Sequence, residues 1–139
     1  EKFYYFDTGV FRSVRPRGPL DRVEEIEGVA LEGLVAQHLR AWCAYQKDPH
    51  TLYFWRTKSG SEVDFVIYGE NNFIALEVKR AAKINNKDLQ SLKSFREDYP
   101  EATVGLLYLG KDKLSINNIA CVPCQQFLQS LHPSRSITF

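Results

Sequence analysis

The sequence has 139 residues, 44% of them hydrophobic, and 18 Lys and Arg against 17 Asp and Glu give a formal net charge of +1. This size and composition predict one compact globular domain with its own core, and they exclude wholesale disorder and a protein that coats nucleic acid by charge alone. No apolar run is long enough to cross a bilayer, and nothing at the start resembles a signal peptide.

The chain is predicted to begin with a connecting segment, residues 1–22, that precedes the domain proper, residues 23–139. Because the sequence has no Met and starts with Glu1, we expect it to be a domain of a longer protein. Residues 2–6 are a candidate short strand. The segment also contains a basic loop, whose cations are Arg12, Arg15 and Arg17.

The domain proper is predicted to combine helices and strands. Apolar residues recur at three- and four-residue spacing over 24–46, which indicates a long helix that ends before Asp48-Pro49. Further strands are predicted at 51–57, 61–68, 73–79, 103–109 and 119–122, and further helices at 86–99 and 125–131. This order predicts an α/β fold with a mixed sheet, in which a three-strand antiparallel meander is joined by a helical crossover to a parallel neighbour.

Two acids are predicted to face each other within the meander. Residues 69–72 have the composition of a four-residue turn. If that turn closes symmetrically, Tyr68 faces Phe73 and Asp64 faces Glu77, with directly opposed Cβ atoms about 4.5–5.5 Å apart.

Strand alternation predicts one apolar face and one charged face for this hairpin. The apolar face, expected to be the core, carries Val63, Phe65, Ile67, Ile74, Leu76 and Val78; the other carries Glu62, Asp64, Val66, Ala75, Glu77 and Lys79. Opposed carboxylates destabilise a sheet unless a cation lies between them or one is protonated. Hard oxygen ligands beside a lysine suit Mg²⁺. The alternative is an ordinary solvated face on which Glu62 pairs with Lys79.

The predicted helices supply two more polar candidates. Glu32 lies beside the apolar stripe of the first helix, so a helix packed on the sheet would aim it at Asp64 and Glu77. The alternative is a boundary glutamate that extends to water. Gln90, near the start of the second helix, is a further candidate with no assigned role.

An acid on a first helix, an Asp on a strand and Glu-x-Lys on the next strand together resemble the PD-(D/E)XK nuclease superfamily. The most specific motif is Phe-Trp-Arg-Thr-Lys-Ser-Gly-Ser-Glu-Val-Asp-Phe, residues 54–65. With residues 5–10, 31–32 and 76–79, it is similar to a bacterial and archaeal family in which an N-terminal AAA+ ATPase module precedes a C-terminal domain of this type. One departure is that Val63, not proline, precedes Asp64.

The resemblance implies a three-layer restriction-endonuclease-like fold and hydrolysis of phosphodiester bonds in DNA or RNA with Mg²⁺ or Mn²⁺. Asp64, Glu77 and the carbonyl of Val78 would hold the metal, and Glu32 would bind it directly or through water. The metal would polarise the phosphate and lower the pKa of a bound water. Lys79 would orient or help deprotonate that water and stabilise the developing negative charge.

The same resemblance implies partners outside the domain. The sequence has no Gly-x-x-x-x-Gly-Lys-Ser/Thr loop, so ATP would bind in the AAA+ module. The residues expected to contact a nucleic-acid backbone are Arg56, Lys58, Arg80 and Lys83, together with Arg12, Arg15, Arg17 and Lys87. The alternative is a catalytically silent module of the same fold that binds a protein or a nucleic acid.

The cysteines offer a different interpretation. Cys121-Val122-Pro123-Cys124, between a strand and a helix, is typical of a redox site, but a thioredoxin-type fold needs further strands after that helix. With Cys43 there are three thiols, which lack the second pair of a structural zinc site. We therefore expect structural cysteines and a reducing, cytoplasmic compartment.

Overall fold

A computed structural model describes residues 2–5 and 23–139. Within these ranges there is one mixed sheet of seven strands, in the order β1-β2-β3-β4-β5-β7-β6, with helices packed against it. The strands are β1 (Lys2–Tyr5), β2 (His50–Arg56), β3 (Glu62–Gly69), β4 (Asn72–Val78), β5 (Thr103–Tyr108), β6 (Leu114–Ile116) and β7 (Ile119–Pro123). The helices are α1 (Val23–Ala44), α2 (Gln90–Asp98) and α3 (Cys124–Ser130), and a 3₁₀ turn, Asn86–Leu89, precedes α2.

The predicted topology of the central strands is confirmed. β2, β3 and β4 form an antiparallel meander, and the connection through α2 places β5 parallel to β4. The candidate strand at the start of the chain is β1, which pairs antiparallel with β2. Arg12, Arg15 and Arg17, predicted to form a basic loop, lie outside the described residues.

The strand β6 was not predicted. It forms a hairpin with β7, in which Ile116 pairs with Ile119 across a two-residue turn. Both turn residues, Asn117 and Asn118, have positive φ angles, 54° and 61°. Paired left-handed residues match the twist of a hairpin, and Asn tolerates this conformation better than most residues. Arg96 on α2 donates hydrogen bonds to both turn carbonyls, at 3.1 and 2.9 Å.

Helices cover both faces of the sheet, which gives the molecule three layers. On one face, Val35 and Leu39 of α1 and Phe127 of α3 are buried against the strands. On the other face, Leu92 and Phe95 of α2 are buried. In the described part of the chain, no helix is both long and apolar enough to span a membrane.

The β3–β4 hairpin is buried on both faces. The expected division into a core face and a charged face is therefore wrong. Val66 and Ala75, predicted on the charged face, are fully buried beneath α2. The solvated-face alternative is therefore wrong, and its predicted Glu62–Lys79 pair is replaced by other ion pairs, Arg56–Glu62 and Lys79–Asp88.

A β-bulge also breaks the predicted alternation along β3. Phe65 and Ile67 lie in the core beneath α1, as expected, but Val63 lies with Trp55 in the core beneath α2. The register of β2 against β3 shifts between Tyr53 and Trp55, so that residues 64–65 of β3 lie opposite a single residue of β2. An extra residue on one strand reverses the alternation of side chains beyond it. The prediction for Val63 was wrong for this reason.

Candidate active site

The two opposed acids lie where β3 and β4 stop pairing through their backbones. The register of this hairpin follows the prediction in all five backbone pairs, which run from Gly69–Asn72 to Phe65–Leu76. The next pair in that register is Asp64 and Glu77. At this pair, hydrogen bonds that involve side chains replace the backbone pairing of the two strands. The bulge in β3 lies at the same position.

Each acid accepts a hydrogen bond from the backbone of the opposite strand. The Asp64 N–H donates to Glu77 Oε1 at 3.1 Å, and the Val78 N–H donates to Asp64 Oδ2 at 2.8 Å. A carboxylate can accept several hydrogen bonds, so each group keeps acceptor capacity for a further ligand. These two hydrogen bonds fix the positions of the two carboxyls relative to each other.

Burial dominates the electrostatics of this pair. It raises the pKa of Asp64, against the hydrogen bonds from Glu77 and the Val78 N–H that lower it. Burial, followed by the charge of Asp64, also raises the pKa of Glu77. Like charges this close do not both ionise readily. We therefore expect the pair to retain a proton at neutral pH when no cation is bound.

Glu32 of α1 is the third acid of the cluster. Burial, followed by the charge of Asp64, raises its pKa to about 7, and the charge of Glu32 contributes in turn to the raised pKa of Glu77. The structure thus brings Glu32 within electrostatic reach of the pair, as expected for a helix packed on the sheet.

Lys79, the next predicted site residue, pairs with an acid that the sequence analysis did not single out. Its Nζ donates to Asp88 Oδ1 at 2.6 Å, and the side chains are 33% and 11% exposed. The second oxygen of Asp88 accepts the Asn85 N–H at 2.8 Å, and the Asn85 side chain accepts the Lys87 N–H at 3.1 Å. Asn85-x-x-Asp88 is thus a capping box, a pattern that would have located Asp88 at the helix start.

The remaining predicted residues lie on the surface. Gln90 is exposed at the start of α2, and the described hydrogen bonds do not connect it to the acids. Arg56 pairs with Glu62 at 2.9 Å, with both side chains 56% exposed. Lys58 is exposed in the turn between β2 and β3, and Arg80 and Lys83 are exposed in the connection after β4.

The donor set of the cluster suits a hard divalent cation. Glu32, Asp64 and Glu77 supply carboxylate oxygens and Val78 a backbone carbonyl, which are ligand types that Mg²⁺ and Mn²⁺ prefer. Lys79 and Arg56 are engaged by other acids. Residues 30–139, whose side chains are described, contain no group of three or more acidic, His or Cys side chains already arranged around a metal position. The chemistry of the cluster fits a metal, and the carboxyls would adjust on binding it.

The cysteines do not form a thiolate site. Cys121 and Cys124 are buried, Cys43 is half-buried, and all three are free thiols. Burial raises the pKa of each one, to about 11 for Cys43. A redox nucleophile needs a lowered thiol pKa, so the raised values favour the expected structural role.

Comparisons with known proteins identify the family of the chain. Residues 27–127 match the family model described as domain of unknown function DUF4143. An uncharacterized protein of Mycobacterium bovis and one of Mycobacterium tuberculosis are each 28% identical over 131 residues, covering 91% of this chain and 28% of the relative. The chain thus spans little more than a quarter of the length of these curated relatives. No solved structure matches the chain. Because the family model covers well over half of the residues, the chain belongs to the DUF4143 family.

Proposed function

We propose that this domain is a metal-dependent phosphodiesterase of the PD-(D/E)XK type that hydrolyses DNA or RNA. The observation that carries the proposal is the acid pair at the end of the β3–β4 ladder. Glu77 accepts the Asp64 N–H, Asp64 accepts the Val78 N–H, and Glu32 lies within electrostatic reach. Evidence for a restriction-endonuclease-like fold comes from the order α1–β2–β3–β4–α2–β5, with its antiparallel meander and parallel crossover.

The acids would hold the metal ion. Asp64, Glu77 and the Val78 carbonyl would be direct ligands of Mg²⁺ or Mn²⁺, and Glu32 would bind directly or through water. When bound, a divalent ion supplies charge that polarises a phosphate and lowers the pKa of a coordinated water. The raised carboxyl pKa values support this assignment, since the site needs positive charge, from protons or from a cation, to compensate the buried acids.

Lys79 would act on the reacting phosphate. Its ammonium would orient the attacking water and stabilise the negative charge that develops on the phosphate oxygens. Arg80 and Lys83, on the connection that follows, and Lys58, in the turn after β2, would contact backbone phosphates on either side of the reacting one. Hydrolysis would add water to phosphorus and release the leaving oxygen with a proton.

The domain would work beside an AAA+ ATPase module of its own protein. The chain covers 28% of the relatives' lengths, which leaves room in those proteins for such a module. ATP would bind there, because this sequence lacks a phosphate-binding Gly-rich loop.

A cleavage assay tests the proposed function. Single- and double-stranded DNA and RNA would be incubated with Mg²⁺ or Mn²⁺ and the protein that contains this domain, with and without ATP. We expect metal-dependent cleavage that is lost in Asp64→Asn and Lys79→Met. The matched control is Glu62→Gln, which removes an exposed acid on the same strand. Equal cleavage by all variants would contradict the site, and no cleavage by any protein would favour the catalytically silent module.

A further inference from the structure

We propose that Asp88 is a positioning residue that holds the Lys79 ammonium away from Asp64 and Glu77, so that these carboxyls stay open for a metal ion. The inference rests on the proposed function and deepens it, because it explains how a lysine and its neighbouring acids remain separate. The carrying observation is the 2.6 Å contact between Lys79 Nζ and Asp88 Oδ1.

The orientation of Asp88 is fixed by a second contact that does not involve the lysine. Its Oδ2 atom accepts the Asn85 N–H, and the side chain is only 11% exposed. Burial alone would raise the pKa of Asp88, but the hydrogen bonds from Asn85 and Lys79 and the charge of Lys79 outweigh burial and lower it. Asp88 is therefore a carboxylate whose position is set by the 3₁₀ turn.

The backbone of Lys79 is fixed as well. Its N–H donates to the Leu107 carbonyl at 2.7 Å, which continues the pairing of β4 with β5 by one residue. Two residues along a strand side chains return to the same face, at a spacing of about 6.6 Å. The flexible four-carbon stem of Lys79 is long enough to bring an unrestrained ammonium back to Glu77.

Without Asp88, the Lys79 ammonium would be free to reach Glu77, which lies two residues back along the same strand direction. An ammonium bound to Glu77 or Asp64 would occupy oxygens that the metal requires and would cancel part of their charge. The Lys79–Asp88 pair removes that competition and at the same time restricts a side chain that otherwise samples many rotamers.

Metal affinity separates this role from a purely structural one. Calorimetric titrations with Mn²⁺ and Mg²⁺ would compare wild type, Asp88→Asn, the double variant Asp88→Asn/Lys79→Met, and Asn85→Ala as the matched control. Asp88→Asn keeps an oxygen for the Asn85 N–H, so the cap survives. Asn85→Ala weakens the cap and leaves the Lys79–Asp88 contact in place.

We expect Asp88→Asn to weaken metal binding roughly tenfold, the low end for loss of a supporting residue near a metal. Removing the freed ammonium in the double variant should restore wild-type affinity, and Asn85→Ala should lower only the melting temperature. Unchanged affinity in Asp88→Asn, or no recovery in the double variant, would overturn the inference.

A second readout keeps the inference separate from the proposed function. If wild type binds neither metal, the proposed function fails, and the ammonium signal of Lys79 in protein with ¹⁵N-labelled lysine then decides the inference. A restrained ammonium should give a slowly exchanging signal in wild type and in Asn85→Ala that is lost in Asp88→Asn. The same signal in all three proteins would overturn the role of Asp88.

Discussion

Glu32, Asp64 and Glu77 come from three different elements, and each of them has a pKa above its ordinary value. Burial is the largest cause in all three cases, followed for Glu32 and Glu77 by the charge of Asp64. A raised carboxyl pKa means that the folded protein binds protons more tightly than the unfolded chain. The acid cluster therefore makes stability depend on pH.

The metal-free protein should lose stability as the pH rises. The pKa of Glu32 is about 7 in the folded protein against an ordinary value of 4.5, so its contribution is fully present below about pH 4.5 and is lost as the pH rises through about 7. Between pH 5 and pH 8 we expect Glu32 to contribute a loss on the order of 1 kcal/mol, because solvent screens a carboxyl that is only partly buried. Urea unfolding at both values would show it, and Glu32→Gln should make the dependence shallower, leaving the part that comes from the raised pKa of Glu77. An equally steep dependence in Glu32→Gln would contradict the assignment.

Local sequence predicted the acids better than their partners. Asp64 and Glu77 are opposed because a short turn sets the register of adjacent strands, which is information contained in a dozen residues. The contact of Lys79 with Asp88 depends on how the connection after β4 returns to the sheet, and no periodicity encodes that path. The capping box can be recognised in the sequence, but the contact of its Asp88 with Lys79 cannot.

Among the helices and strands, sequence periodicity predicted the long ones. α1 and β2 to β5 have enough residues to show a repeat of 3.6 or 2. β6 has three residues and two exposed side chains, too few to form a pattern. The bulge in β3 was also unpredictable, because it arises from the fit of β3 against β2 rather than from the sequence of either strand.

The turn between β6 and β7 offers a test of this local account. Asn118 has a φ angle of 61°, so Asn118→Val should destabilise the protein by about 1–2 kcal/mol, because a β-branched residue is strained in that region. Asn118→Gly should be neutral or stabilising. Chemical denaturation would measure both, with Ser115→Val on the exposed surface of β6 as the control. Equal stability of Asn118→Val and Asn118→Gly would contradict a left-handed turn.

At the scale of the whole molecule, the sheet is covered on both faces and the acid cluster lies where α1 meets the end of the β3–β4 ladder. The mixed α/β fold was predictable from the order of elements. The resemblance implied a three-layer fold, but the residue pattern of the hairpin did not reveal the covering of its second face, because short strands with both polar and apolar residues do not show how many helices pack on them. Lys58, in the turn after β2, and Arg80 and Lys83, in the connection after β4, are the exposed cations that we propose as contacts of the substrate backbone.

Nucleic-acid binding should depend on these surface cations. Lys58→Gln and Lys83→Gln should each weaken binding of a DNA or RNA oligonucleotide to a similar extent for all sequences. Each substitution should also reduce the slope of the logarithm of the binding constant against the logarithm of the salt concentration by about one. Lys47→Gln, beyond the end of α1, is the control and should bind as wild type. Fluorescence anisotropy at several salt concentrations would measure the slopes, and wild-type slopes in both variants would exclude these phosphate contacts.

The central claim is that the acid cluster is a divalent metal site, and calorimetric titration with Mn²⁺ tests it most directly. Wild type would be compared with Asp64→Asn and with Glu62→Gln, the matched acid on the surface of the same strand. We predict one binding event in wild type and Glu62→Gln that is absent in Asp64→Asn, with proton release because buried carboxyls must ionise. Equal binding by all three proteins, or no binding by wild type, would contradict the claim.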